Sequence, residues 1–210
     1  MGLAMINLFY PLRCASCKRD LPYDAPSRIC PLCLSSLDEL PHDPRPSFIR
    51  SCFPYEGTAK ELIHEFKYSG KDYLSEILVP FLLKTWRKYP EMASAEAVCS
   101  VPAHPARVRE RGYNQSEVLA KEFAKTAALP YISALERVRN TPSQIALKRD
   151  ERARNVEGAF RARAPALVRG KSVLLVDDVC TTGATLQACA AALREAGSGK
   201  VFALTFARQS

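Results

Sequence analysis

Several things are missing from this 210-residue sequence, and each absence removes a class of function. The longest internal apolar run, Ile77 to Leu83, is far too short to span a bilayer and carries Pro80. The apolar start, Met1 to Leu12, has no basic lead and no small-residue cleavage site, and Met1-Gly2 is not followed by Ser or Thr at position six. No G-x-x-x-x-G-K-[ST] occurs; Gly197-Ser-Gly-Lys200 lacks both the spacing and the hydroxyl. A membrane span, a secreted product, a myristoyl anchor and a P-loop NTPase are therefore not expected, and a cytoplasmic location is.

What is present is globular. Hydrophobic residues make up 47% and charged residues 25%, so disorder is not the default. The net charge is +8, which suits phosphates, pyrophosphate or nucleic acid as partners. Residues 105–163 supply much of it, with 13 Lys or Arg against 7 Asp or Glu.

Four of the eight cysteines come as two C-x-x-C pairs, Cys14 with Cys17 and Cys30 with Cys33, twelve residues apart. Each pair can supply two corners of a tetrahedron, so structural zinc is expected, closed by four thiolates and without a catalytic position. A redox motif is the weaker reading because no strand is predicted before either pair. Cys52, Cys99, Cys180 and Cys189 are unpaired in sequence and read mainly as small packed hydrophobes, Cys52 being the one to watch. Leu40 to Ser47 (LPHDPRPS) is Pro-rich. The expected organisation is a metal ribbon over 1–40, a linker over 41–50 and an α/β domain over 51–210.

The chain is organised around Val173 to Leu186, VLLVDDVCTTGATL. Val173 to Val176 reads as a strand buried on both faces, and Ala184 to Ala196 as a helix stopped by Gly197. Between them, a small-residue turn leaves backbone N–H groups at a helix N-terminus, an anion site suited to phosphate. Asp177 and Asp178 would repel a phosphate placed directly on them but suit ribose hydroxyls with magnesium nearby. A Walker B strand, a response-regulator-like acidic pocket and a merely structural strand-turn-helix are the competing readings; the whole stretch favours a sugar phosphate.

A second chemical segment, VPAHPARVRERGYNQ, follows a predicted strand at Ala97 to Val101. A tight loop of Pro102, Ala103, His104 and Pro105 with Arg107, Arg109 and Arg111 behind it makes a cationic site for pyrophosphate; basic residues that only solubilise the turn are the plainer alternative. Thr58 and Glu61 fit a capping box for a helix ending near Gly70, and a second helix is predicted from about Tyr73 to Lys88. An amphipathic helix is predicted over Ser116 to Thr126 and strands over Leu135 to Val138 and Lys200 to Ala207. The charged stretch between Arg139 and Arg154, with Gln144, is expected to form a lid. Strands alternating with helices predict a mainly parallel sheet flanked by helices.

VLLVDDVCTTGATL resembles the phosphoribosyl pyrophosphate (PRPP) loop of the type I phosphoribosyltransferases. That resemblance implies that the catalytic acids Asp177 and Asp178 hold the ribose hydroxyls, and that Thr181, Thr182, Gly183, Ala184 and Thr185 hold the 5-phosphate. Together with NLFYPLRCASC, LIHEFKYSGK, VPAHPARVRERGYNQSE and the TPSQ…R…N…GAF series, the chain resembles the ComF family, associated with competence and DNA uptake. The resemblance implies a type I phosphoribosyltransferase-like fold with an N-terminal four-cysteine zinc ribbon, and magnesium-PRPP as ligand. It places Pro102, Ala103, His104, Arg109 and Arg111 at the pyrophosphate, with Gln144 and Arg154 from the lid. Many relatives carry eight zinc ligands; here one zinc is expected. No segment resembles a base-recognising hood, so no acceptor is named. Two functions follow as expectations: a pentosyl-transferring glycosyltransferase serving DNA uptake or nucleotide salvage, or a catalytically silent accessory protein that binds single-stranded DNA or the uptake machinery.

Overall fold

The hydrophobic run at Val173 predicts a strand that stops before the acids. In the computed structural model, which describes residues 12–43, 47–68, 72–139 and 158–209, that strand continues through them as β7 (Val173–Cys180). Asp177 pairs with Thr205, Val179 with Ala207 and Cys180 with Arg208 on β8 (Val201–Arg208), so the ladder holds extended a segment that aspartate would disfavour by propensity alone. With β3 (Ile49–Pro54) and β4 (Ala97–Ser100), these strands form a four-stranded sheet in the order β3-β8-β7-β4, every pair parallel.

Successive side chains of β7 point to opposite faces, and both faces are covered. Leu174 and Val176 pack with Phe53, Phe66 and Phe206 beneath α2 (Gly57–Tyr68), α3 (Ser75–Lys88) and α5 (Gln115–Thr126). Val173 and Leu175 face the other core, with Leu186, Cys189 and Leu193 of α7 (Ala184–Glu195). The expected fold class is thus the one observed.

Local departures have physical reasons. Helix α2 begins at Gly57, one residue before Thr58, and the amide of Lys60 bonds the carbonyl of Glu56 at 3.2 Å. Thr58 is therefore inside the first turn and cannot cap it; its hydroxyl meets that of Ser36 at 2.8 Å instead. The stretch predicted to open the second helix is a 3-10 turn, Asp72–Leu74, ahead of α3. Strand β5 (Leu135–Arg137) does not join the main sheet but pairs antiparallel with β6 (Phe160–Ala162). A two-residue strand, β1 (Leu12–Arg13), does precede Cys14, contrary to expectation; it closes a hairpin with β2 (Asp20–Leu21) rather than feeding a βαβ unit. No helix among the described residues is long and apolar enough to cross a membrane.

The four-cysteine unit shares a core with the sheet. Cys14, Ala15, Ile29, Cys30 and Cys33 belong to the same buried cluster as Leu62, Ile63 and Phe66 of α2. In the Pro-rich segment, His42 is exposed and its ring stacks on Tyr89 at 5.0 Å.

Candidate functional site

The carboxyl ends of β4, β7 and β8 open into a cavity of about 570 Å³. Parallel sheets present ligand-binding crevices at this end, because the loops that leave the strands gather there. Asp177 and Asp178 line the cavity and are 9% and 6% exposed. Asp177 Oδ1 accepts the hydroxyl of Ser116 at 2.5 Å and the amide of Asp178 at 2.9 Å. Burial, and next the charge of Asp178, push the Asp177 carboxyl up to about 7 despite those two donors.

Asp178 is compensated by a cation. Lys67, in the last turn of α2, places Nζ 2.9 Å from Asp178 Oδ2. Burial alone would depress this amine, but the charge and hydrogen bond of Asp178 outweigh it and raise its pKa.

The predicted phosphate loop follows β7 directly. Gly183 takes φ +79 as the N-cap of α7, and a Cβ there would lie 3.1 Å from Ile49 Cδ1, so two independent constraints call for glycine. Thr181, Gly183 and Thr185 line the cavity. The Thr182 hydroxyl accepts the amide of Ala184 at 3.4 Å, and Ala184 is buried.

The predicted pyrophosphate segment is brought to the same cavity only in part. Pro102 and Ala103 line it. His104 Nδ1 accepts the amide of Ala106 at 3.1 Å, so the imidazole caps α4 (Pro105–Arg111) and leaves the cavity wall to its neighbours. Arg109 is exposed and is not a lining residue, whereas Arg107 is. Gln144, Arg154 and the side chain of Arg111 lie outside the described residues.

Several lining groups were not singled out from the sequence. Besides Lys67 and Ser116, these include Asn114, whose Nδ2 donates to the carbonyl of Val101 at 3.1 Å, and Arg137. Burial and then the charge of Arg107 lower the pKa of Arg137, so two guanidinium groups share one flank of the cavity. Lys67 lies in the LIHEFKYSGK segment and Ser116 ends YNQS; both motifs were visible, but nothing local assigned them to an aspartate.

The Sγ atoms of Cys14, Cys17, Cys30 and Cys33 all lie within 4.8 Å of one another, and Cys17 to Cys30 is 3.8 Å. Four thiolates at the usual zinc–sulfur length stand about 3.8 Å apart along a tetrahedral edge, so the residues fit such an ion. The amide of Cys30 donates to Cys14 Sγ at 3.3 Å and that of Cys33 to Cys30 Sγ at 3.5 Å. Burial raises the Cys14 thiol, but backbone donors led by Cys30 overcome it and bring it down to about 6; burial holds Cys33 at about 11. The cluster could hold a divalent ion, which would draw all four to thiolate.

Residues 110–210 match the family model described as a phosphoribosyl transferase domain. The chain is 30% identical over 192 residues to the DNA utilization protein YhgH of Salmonella typhi, covering 90% of this chain and 80% of that protein. It is 30% identical to competence protein ComFC of Streptococcus pneumoniae, over 76% of this chain and 67% of the relative. Competence protein F of Haemophilus influenzae is 30% identical over 65% of this chain and 62% of its own length. Among solved structures, adenine phosphoribosyltransferase of Thermoanaerobacter pseudethanolicus superposes with a TM-score of 0.44 at 10% identity, over 85% of this chain and 98% of that one. A B. subtilis glutamine PRPP amidotransferase gives 0.42 at 22% identity, over 67% of this chain and 30% of the larger protein.

Proposed function

The chain belongs to the family of competence protein F and the DNA utilization protein YhgH and carries a phosphoribosyl transferase domain, and from that premise we propose that it binds magnesium-PRPP at the β7 cavity. The observation that carries the reading is a buried acid pair, Asp177 and Asp178, in the same cavity as Thr181 and Gly183 at the N-terminus of a 12-residue helix. Carboxylates suit the donors of a ribose diol, and the amides and hydroxyls of the turn suit its 5-phosphate.

Each part then has a task. Asp177 and Asp178 orient the sugar, Thr181, Gly183 and Thr185 anchor its phosphate, and Arg107 and Arg137 face the pyrophosphate from the flank of Pro102 and Ala103. Magnesium carried by the pyrophosphate would neutralise charge on the departing group. Departure from the anomeric carbon passes through an oxocarbenium-like transition state, so the protein's contribution is placement and charge stabilisation, with no protein nucleophile. A zinc ion on Cys14, Cys17, Cys30 and Cys33 would be structural. The setting in DNA uptake or nucleotide use is proposed from what the relatives' names say of those proteins.

Calorimetric titration of zinc-replete protein with PRPP tests this. Saturable, magnesium-dependent binding in about the micromolar range is expected, and it should vanish in Asp177→Ala with Asp178→Ala. Normal binding by a folded double variant would sink the assignment. Pyrophosphate release on adding nucleobases one at a time then measures turnover.

A second reading is favoured by the net charge of +8 and the relatives' names: an accessory protein that binds single-stranded DNA and performs no transfer. Its affinity would fall steeply with salt and ignore the double aspartate change. Binding that is absent, or indifferent to salt, removes it.

A further inference from the structure

Lys67 is held where it is by several independent contacts. The Tyr113 hydroxyl donates to the carbonyl of Phe66, and Gln115 Nε2 donates to the carbonyl of Lys67 at 3.4 Å. One helical step back, Glu65 pairs with Lys18 of the four-cysteine unit, and near the start of the same helix Thr58 meets Ser36. Helix α2 is thus pinned along its length. Its last turn delivers an ammonium, on a side chain only 21% exposed, to the buried carboxylate of Asp178, 2.9 Å away.

Two adjacent buried carboxylates otherwise hold a proton or recruit a cation, because like charges in a desolvated site repel strongly. Here the chain supplies the cation itself. We infer that Lys67 is a specificity-determining residue whose ammonium bars bare divalent cations from Asp177 and Asp178, so that magnesium enters only when carried by a phosphorylated sugar.

The exchange is chemically balanced. A bare magnesium ion would have to shed tightly held water and displace an ammonium from a buried carboxylate, and it brings no anionic oxygen of its own to receive that ammonium. A sugar phosphate brings hydroxyls that donate to Asp178 and anionic oxygens that accept Lys67. The second half of the inference rests on reading the cavity as a magnesium-PRPP site; the exclusion of bare cations does not.

The test uses Mn²⁺ as probe, followed by electron paramagnetic resonance, on full-length zinc-loaded protein without PRPP. Wild type should show no saturable site that depends on Asp178. Lys67→Met should gain one site, at least about tenfold tighter than any wild-type binding, lost again when Asp178→Asn is added. Lys67→Arg, which keeps the charge, should preserve the exclusion. Saturable wild-type Mn²⁺ binding abolished by Asp178→Asn would overturn the inference, and that arm does not require the Lys67→Met protein to fold. No gain in folded Lys67→Met would overturn it as well. Titration of wild type with magnesium-PRPP reports on the site reading separately. Failure there beside a gain in Lys67→Met would remove the sugar phosphate and keep the barrier; the reverse pattern would remove the barrier and keep the sugar phosphate.

Discussion

Asp177 is where burial and function oppose each other. A carboxyl whose folded value is raised to about 7 binds a proton in the native state at pH values where the unfolded chain has released it. Stability from this group is therefore fully present below the usual carboxylate range and is lost as pH rises through 7. Asp177→Asn keeps an oxygen to accept Ser116 and the amide of Asp178, and should raise unliganded stability more at pH 8 than at pH 5, the difference being on the order of 2 kcal/mol. Thermal unfolding of both proteins at the two pH values checks this; equal shifts at both would place the strain elsewhere. At Gly183, the +79 φ and the 3.1 Å approach to Ile49 predict that Gly183→Ala costs about 1–2 kcal/mol in urea unfolding. Both residues were legible in the sequence because acid, turn and helix are consecutive. Ser116 and Arg137 were not, since they reach the cavity across long sequence separations, 61 residues for Ser116 and Asp177, and only the folded sheet brings them there.

At the scale of elements, the cysteine unit is more than an appendage. Its cysteines lie in one buried cluster with α2, and Lys18, left-handed at φ 61, reaches both the carbonyl of Ala15 and Glu65 on that helix. Chelating the metal should lower the thermal midpoint of the whole chain by on the order of 5 °C, and Cys30→Ser should do the same. Release of one equivalent of zinc to a chromophoric chelator, followed beside calorimetry, measures both; metal loss without a change in midpoint would make the unit thermally independent. The two C-x-x-C pairs announce this element in one dimension, because ligand spacing is local. The capping box misled for the opposite reason: Thr58 had the right residue three positions on, but a tertiary partner, Ser36, claimed its hydroxyl. The strand at Leu135 was likewise legible as a strand, while its partner lies beyond residue 157 and could not be read from periodicity.

For the whole molecule, the two apolar faces of the sheet set the stability. Phe206 is fully buried, 5.1 Å from the ring of Phe53 and 6.1 Å from that of Phe81. Phe206→Ala should cost about 3–5 kcal/mol in urea unfolding, a loss felt by every element because the transition of so interlocked a core is cooperative. The alternation of strand and helix patterns revealed the parallel sheet, but not its order. That order has a consequence for how the protein is made. β3 and β7 are neighbours only through β8, which threads between them from the far end of the sequence. While a ribosome is still translating the segment before Val201, β3 has no edge to pair with, and its apolar face is open to aggregation or to chaperones. The native topology is therefore sealed only once β8 has emerged, which makes the interval before it the step at which a slow or mutated nascent chain is most exposed.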